Sequence, residues 1–170
     1  MGQFLGDVVQ RGPVEALRPF SLDSLAGSPA TEVFIALTDV LCPDGGTIDE
    51  AIARNAMLET AAELAAAGDV AFDSLTATQL EAFFLGTISR SIEGKLFNEL
   101  GGSAVRLPQD VVAVRRVERM LHDYIQGAVQ DAFAGTGQAL ATIPRADVDR
   151  FVQTIYEQSY ALLQVLGDEA

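Results

Sequence analysis

Residues 29–67 read PATEVFIALTDVLCPDGGTIDEAIARNAMLETAAELAAA, and this stretch predicts two helices joined by a tight turn. In the first half, apolar side chains recur at the spacing of one helical face, at Val33, Phe34, Leu37, Val40 and Leu41. A helix with one apolar face must bury that face against another element. The stretch therefore predicts the centre of a helical domain.

The ends of the first helix are marked by residues with well-understood preferences. Ser28 is expected to cap the helix, with Pro29 at the first helical position, where the missing N–H costs nothing. Pro43 disfavours helical backbone at Cys42, and the glycine pair at 45–46 allows the chain to reverse. We therefore expect the first helix to end at the Cys42-Pro43 step.

The second helix begins with a capping box. The Thr47 hydroxyl can accept from the Glu50 N–H while the Glu50 carboxylate accepts from the Thr47 N–H. Gly68 is expected to follow the end of this helix. The residues predicted to be buried are Ile48, Ala51, Ile52, Met57 (or Ala56), Leu58, Ala61 and Leu64. A short turn between two such helices predicts an antiparallel helical hairpin.

Three further amphipathic segments complete the expected fold. The first segment opens with a second capping box at Thr76 and runs to about Leu100. The next starts at Pro108, after an extended connector at 103–107, and ends at Gly135. The last segment starts at Pro144. Each segment has a stripe of residues that we expect to face the core. In the first segment these are Leu80, Phe83, Phe84, Thr87, Ile88, Ser91, Ile92, Leu96 and Leu100. In the second they are Val111, Val114, Val117, Leu121, Tyr124, Ile125, Ala128 and Phe133, and in the last they are Val148, Phe151, Val152, Ile155, Leu162, Leu163 and Leu166.

We predict an all-α fold, a single-domain bundle of about five helices that spans residues 28–170. Residues 1–27 are interrupted by glycine and proline, and we expect an irregular N-terminal segment that packs on the domain. Val70 and Phe72 are expected to tuck under the loop after Gly68. The last helix follows a glycine-rich joint at 135–137, and two placements stay open for it: on its own bundle, or on a neighbouring copy.

The composition restricts the classes of function. The chain has 170 residues, is 49% hydrophobic and carries a formal charge of −13. Such a charge argues against direct nucleic-acid binding and against an anionic membrane surface. It is typical of a surface that serves solubility or binds a basic protein partner. No secretory signal and no membrane-length apolar run is present, so we expect a soluble, cytoplasmic protein.

The chain offers little reactive chemistry. Its single cysteine, Cys42, follows a helix C-terminus, where the dipole raises a thiol pKa, and no histidine lies near it in sequence. Its single histidine, His122, is expected to be solvent-facing or hydrogen-bonded, because one imidazole cannot build the usual histidine-containing metal sites. The acidic turn at Asp44 lacks the alternating oxygen ligands of a calcium loop. We therefore predict no catalytic residues, no metal, no cofactor and no enzymatic activity.

Two features are candidates for a partner-binding surface. Arg115, Arg116 and Arg119 form a basic cluster in a very acidic chain, and such a cluster can guide self-association or docking to an acidic partner. The alternative interpretation is that nearby carboxylates, among them Glu118 and Asp123, pair with these arginines. Phe97 shares its helix with Phe83 and Phe84, and not all three can face one narrow core; Phe97 is the candidate for a partner-facing position, with the domain core as the alternative.

The sequence resembles the C-terminal helical part of the QatB family, a component of bacterial Qat antiphage defence systems. The resemblance rests on LAGSPA at 25–30 and LCPDGGTIDEA at 41–51, and continues more loosely through FFL at 83–85, SIEGK at 91–95 and LHD at 121–123. It implies a non-enzymatic partner protein that works with a QueC-like enzyme, a KAP-type ATPase and a TatD-like nuclease. The family's Gly/Ser/Pro-rich N-terminal region is not seen here, which leaves any modification at Gly2 open.

Two functions from different classes follow. The first is an interaction or scaffold protein, or a modification substrate, in an antiphage complex. The second is a self-associating acidic helical protein, a homo-oligomer unrelated to defence. The residues that we expect to bind a partner are Phe97, Arg115, Arg116 and Arg119.

Overall fold

A computed structural model describes residues 1–43, 45–100 and 111–168. These residues form seven α-helices: α1 (Gly2–Arg11), α2 (Pro13–Leu17), α3 (Ala30–Leu41), α4 (Ile48–Ala66), α5 (Ala77–Leu100), α6 (Val111–Gly135) and α7 (Arg145–Asp168). Three single-turn 3-10 helices lie at Arg18–Phe20, Asp23–Leu25 and Phe72–Ser74. The described residues contain no strand, only one isolated antiparallel bridge between Pro29 and Ala71. The predicted all-α class is confirmed.

The predicted number of five helices is corrected to seven, because the first 27 residues are not irregular. Gly12 adopts φ 86°, which turns the chain between α1 and α2, and Pro13 occupies the first position of α2. A glycine tolerates this φ without steric cost, and a proline at the first helical position loses no hydrogen bond. The glycine and proline therefore separate two short helices.

The described chain divides into two compact units. The first contains residues 1–87 and 138–143, and the second contains residues 88–137 and 144–170. Helix α5 contributes its residues through Thr87 to the first unit and those from Ile88 to the second. The predicted division into residues 1–27 and 28–170 stays a prediction.

An aromatic cluster forms the core of the first unit. The rings of Phe34 and Phe83 stack with centroids 3.7 Å apart, and Phe72 meets Phe34 edge-on at 5.5 Å. Phe4 of α1 stacks on Phe72 at 6.2 Å and contacts Phe20 at 5.7 Å. The N-terminal helix is thus anchored in the same core as the hairpin. The expectation that Phe72 tucks under its loop is confirmed, since it is 1% exposed.

Residues 138–143 also belong to the first unit. The Gln10 side chain donates to the Ala141 carbonyl oxygen at 2.7 Å. At Gly6 the chains approach so closely that a Cβ atom would lie 3.3 Å from Ala141 Cα. Glycine at this position of α1 therefore permits the contact between the two segments.

Both predicted capping boxes are present. At the start of α4, the Glu50 N–H donates to the Thr47 hydroxyl at 3.2 Å, and the Thr47 N–H donates to the Glu50 carboxylate at 2.6 Å. At the start of α5, the Gln79 N–H donates to the Thr76 hydroxyl at 3.2 Å, and the Thr76 N–H donates to the Gln79 side-chain oxygen at 2.9 Å. Each box satisfies backbone donors that the first helical turn leaves without a partner.

The predicted Ser28 cap of α3 is wrong. Pro29 precedes the helix and cannot cap it with its side chain. Instead, the Ala30 N–H donates to the Val70 carbonyl oxygen at 2.8 Å, and the Thr31 N–H donates to the Asp69 carboxylate at 3.2 Å. The Phe72 N–H also donates to the Ser28 carbonyl oxygen at 2.9 Å. A distant loop thus fulfils the role that a local side chain was expected to play.

Helices α3 and α4 pack against each other as the predicted hairpin, but several side chains near its turn face solvent. Val40 is 49% exposed and Ile48 is 63% exposed, and Ala51 is exposed as well. These corrections have one cause: the helical period gives each helix an apolar stripe, but only the part that meets another element is buried. Val70 is likewise 36% exposed, against expectation.

Helices α6 and α7 pack against each other in the second unit. The buried stripe of α6 is Leu121, Ile125, Val129 and Phe133, and that of α7 is Phe151, Ile155, Ser159 and Leu163. The sequence analysis missed Val129 and Ser159, and its assignments of Val111 and Tyr124 to the core are wrong, since both are exposed. Helix α7 therefore packs on α6 of its own chain, one of the two placements considered.

Some predictions lie outside the described residues or their described side chains. They concern Asp44 in the hairpin turn, the extended connector at 103–107, the helix start at Pro108 and the core position of Leu100.

Candidate functional site

Helix α6 carries the basic cluster on one side of its first half. Val112 lies three and four residues before Arg115 and Arg116, and Arg119 lies four and three residues after them, which places the four along one face of a helix. We call these four residues the arginine face. All four side chains are exposed. The sequence-predicted arginines are therefore brought together on one surface.

The surroundings of the arginine face are unusually apolar for solvent-exposed helix. No residue between 111 and 120 is buried, whereas the core stripe of α6 starts at Leu121. Val111 is 64% exposed, Val112 is 63% exposed, and Met120 is 47% exposed. Exposed apolar groups beside charged ones are typical of surfaces that bind other proteins. The sequence analysis assigned Val111 to the core stripe of this helix and singled out neither Val112 nor Met120.

The arginine face includes an open depression. Its lining includes Val112, Arg115, Glu118 and Arg119, so apolar and cationic groups border the same concavity. A guanidinium group presents several N–H donors in a planar fork that matches a carboxylate. The arrangement can therefore accept an acidic side chain together with an apolar one.

The arginines of this face are not neutralised by neighbouring carboxylates. Within the parts of the chain that the structure describes, no ion pair joins Arg115, Arg116 or Arg119 to Glu118, Asp123 or another acid. The Arg119 Nε–H donates to the Arg115 carbonyl oxygen at 3.3 Å. The alternative interpretation, in which nearby acids pair with the cluster, finds no support in these contacts. The positive charge stays available to a partner.

Phe97 lies on α5 and is 37% exposed, whereas Phe83 and Phe84 of the same helix are buried. The expectation that not all three rings face one core is met. Among the described contacts, no hydrogen bond, ion pair or ring contact connects Phe97 with the arginine face. Whether Phe97 binds a partner stays a prediction.

His122 forms a pair with Glu93 of α5. The His122 Nδ1 atom lies 2.9 Å from a Glu93 carboxylate oxygen, and the Glu93 side chain is 17% exposed. The expectation that His122 is hydrogen-bonded is confirmed. In the described residues, no group of three histidine, cysteine or acidic side chains is placed to hold a metal ion.

Cys42 is a buried free thiol at the end of α3. Burial raises the pKa of its thiol, and the nearby charge of Glu50 raises it further. The sequence analysis expected a raised pKa from the helix dipole, so the direction is right although burial is the main cause. The Cys42 carbonyl oxygen also accepts from the Arg54 guanidinium at 2.9 Å. A thiol held in its neutral form is a poor nucleophile.

A second polar cluster, which the sequence analysis missed, lies around Tyr156 of α7. The Tyr156 hydroxyl donates to the Glu99 carboxylate, and the Lys95 Nζ atom lies 5.1 Å from the centre of the tyrosine ring. Burial, followed by the contact with Glu99, raises the pKa of Tyr156 to about 12. The phenol therefore stays protonated at neutral pH and serves as a hydrogen-bond donor between the two helices. Lys95 and Glu99 lie on α5, whereas Tyr156 lies on α7, beyond α6 in the chain. No local sequence motif therefore links the tyrosine with the other two residues.

None of the described helices combines the length and the apolar character that crossing a bilayer would require.

Comparisons with known proteins gave one finding. A family model described as "QatB: Qat anti-phage system associated protein QatB" matches residues 1–163. Neither the curated proteins nor the solved structures gave a match.

Proposed function

The chain belongs to the QatB family of Qat anti-phage system associated proteins, and we propose that it is a non-enzymatic docking component of such a multi-component system. In this role it binds co-encoded proteins through the arginine face of α6. It acts in the cytoplasm and contacts neither a membrane nor nucleic acid directly.

One observation carries the proposal: three arginines that have no acidic partner among the described residues share an exposed helix surface with Val111, Val112 and Met120. A chain with a net charge of −13 has many carboxylates with which to pair its eleven basic side chains. Three neighbouring arginines that no described carboxylate pairs with are suited to an acidic surface on another protein. Electrostatic complementarity of this kind speeds association and fixes orientation.

The partner is a protein with an acidic surface that also offers apolar side chains. The resemblance to the family implies three co-encoded candidates: a QueC-like enzyme, a KAP-type ATPase and a TatD-like nuclease. Three arginines are too few for tight sequence-independent binding of nucleic acid, and the net charge of the chain opposes it.

The absence of catalysis is part of the proposal. The reactive side chains that the sequence offers are engaged in structural roles: Cys42 is buried with a raised thiol pKa, and His122 pairs with Glu93. Each contact supports a protein that works by binding.

Co-purification tests the proposal. The tagged chain is co-expressed with its co-encoded neighbours, once as wild type and once with Arg115→Glu, Arg116→Glu and Arg119→Glu combined. We expect the wild type to retain at least one neighbour and the variant to lose it. A control with the same change in net charge replaces three exposed arginines elsewhere: Arg11→Glu, Arg18→Glu and Arg145→Glu.

The control variant should retain the partner. The proposal is overturned if the wild type binds none of its neighbours, and the assignment of the surface is overturned if both variants bind equally well. The second function considered, a self-associating protein unrelated to defence, is not supported, because the family places the chain in an anti-phage system.

A further inference from the structure

The turn of the α3–α4 hairpin carries a second exposed surface of opposite charge. Val40 and Ile48 are 49% and 63% exposed at this end of the hairpin, beside the exposed carboxylates of Asp49 and Glu50. We call these four residues the hairpin tip. A folded chain normally buries such aliphatic side chains, because their removal from water is favourable. The tip therefore combines unused apolar surface with negative charge.

Hydrogen bonds hold described residues on both sides of the hairpin turn. The capping box ties Thr47 to Glu50, and the Arg54 guanidinium donates to the Cys42 carbonyl oxygen at 2.9 Å and to the Asp39 carboxylate at 2.6 Å. Segments held by such contacts lose less conformational entropy when they bind.

The arginine face and the hairpin tip are complementary in both respects. One combines Val112 with three unpaired arginines, and the other combines Val40 and Ile48 with two carboxylates. We propose that the hairpin tip of one copy of this chain docks on the arginine face of a second copy. Ile48 would then enter the depression beside Val112 while Asp49 pairs with the arginines.

The net charge of −13 opposes self-association only weakly at physiological salt, because charges more than about 8 Å apart are largely screened. The close contacts between the arginines and the acidic tip are screened far less. The association is therefore expected to weaken as salt rises, while its apolar part persists.

The two surfaces lie on different elements, so each contact joins the hairpin tip of one copy to the arginine face of another. After one contact forms, each pair of copies still has one free arginine face and one free hairpin tip. These two surfaces can bind each other, which closes a two-fold dimer with two equal contacts, or they can bind further copies, which gives larger species. We therefore expect a dimer or a larger oligomer.

This inference rests on the proposed function in one point, since it takes the arginine face as a protein-docking surface. It also deepens that function, because the second copy and the co-encoded partner would compete for the same face. The two are separated experimentally: self-association is measured on the chain alone, and partner binding is measured by co-purification.

Sedimentation velocity over a concentration series tests the inference with two charge-reversed variants. The face variant carries Arg115→Glu, Arg116→Glu and Arg119→Glu, and the tip variant carries Val40→Lys and Asp49→Lys. Each alone has two surfaces of like charge, so each is expected to stay monomeric at concentrations at which the wild type associates. The variant with Arg11→Glu, Arg18→Glu and Arg145→Glu serves as the charge-matched control and should associate like the wild type.

Mixing the two variants gives the decisive result. The acidic face of one then meets the basic tip of the other, and the unaltered tip of the first meets the unaltered face of the second, so association should return. Circular dichroism verifies that each variant remains helical. Either a monomeric wild type or two variants that stay monomeric when mixed would overturn the inference.

Discussion

At the scale of single residues, contacts between aromatic rings form the core of the first unit, and the helical pattern of the sequence does not specify these contacts. Phe34 is fully buried, and its ring stacks on Phe83 while its edge meets Phe72. The sequence predicts that Phe34 and Phe83 face a core. It does not predict that Phe4 of α1 joins the same cluster, because partners far apart in the chain leave no periodic signal.

We expect Phe34→Ala to lower the free energy of unfolding by about 3–5 kcal/mol, since it removes a large buried ring and leaves a cavity. Urea denaturation followed by circular dichroism measures the loss. Phe97→Ala is the matched control, because its ring is 37% exposed. It is expected to cost less than half as much. Equal losses for the two variants would contradict the burial described for these rings.

Tyr156 gives a prediction that depends on pH. Its pKa is raised to about 12, so the folded protein holds the phenol proton more tightly than the unfolded chain does. The stability that comes from this difference is fully present below pH 10, which is the ordinary pKa of a tyrosine phenol. It is lost as the pH rises through about 12. The chain has three tyrosines and no tryptophan, so phenolate absorbance reports on them directly.

An alkaline titration of the folded protein should therefore show a phenol that ionises near pH 12. Tyr156→Phe is expected to remove this late component, whereas Tyr124→Phe should leave it in place. Circular dichroism at each pH shows over which range the helices persist. If the helical protein showed no phenol that ionises above the ordinary value, the contact between Tyr156 and Glu99 would be contradicted.

At the scale of helices and turns, local signals were reliable where the partner lies a few residues away. The boxes at Thr47 and Thr76, and the ends of α3 and α6 at Leu41 and Gly135, were predicted from short motifs and are present. The cap of α3 was not predicted, because the Val70 carbonyl oxygen that accepts from the Ala30 N–H lies forty residues downstream. Local chemistry predicts a helix end only where no distant backbone competes for it.

The capping box of α4 can be tested directly. Thr47→Ala removes the hydroxyl that accepts from the Glu50 N–H and is expected to cost about 0.5–2 kcal/mol of stability. Thr47→Ser keeps a hydroxyl at the same position, so it should lower the stability by only about a few tenths of a kcal/mol. Chemical denaturation of both variants measures the difference. Indistinguishable midpoints for Ala and Ser would contradict a structural role for the box.

At the scale of the whole molecule, the fold class followed from the sequence but the surface did not. Helical periodicity assigned Val40, Ile48, Val111 and Tyr124 to the core, and all four are exposed. Periodicity identifies which side of a helix is apolar, whereas burial depends on whether another element covers that side. The exposed stripes are therefore the positions at which pattern and structure disagree, and two of these positions are on the hairpin tip.

The candidate site was predicted in part. The three arginines were identified from their clustering in an acidic chain, and the structure brings them together on exposed helix. Among the described residues these arginines have no acidic partner, which was not predictable, because Glu118 and Asp123 lie close in sequence without pairing with them. The apolar border was not predicted either: Val111 was assigned to the core stripe, and Val112 and Met120 were not singled out.

The central claim is that residues 111–120 of α6 bind a co-encoded protein. Hydrogen exchange measured by mass spectrometry, on the chain alone and in complex with the neighbour that co-purifies with it, tests this claim most directly. We predict slower exchange across the first three turns of α6 in the complex, with little change in the already buried stripe from Leu121 onward. Protection confined to other helices, with exchange at 111–120 unchanged, would contradict it.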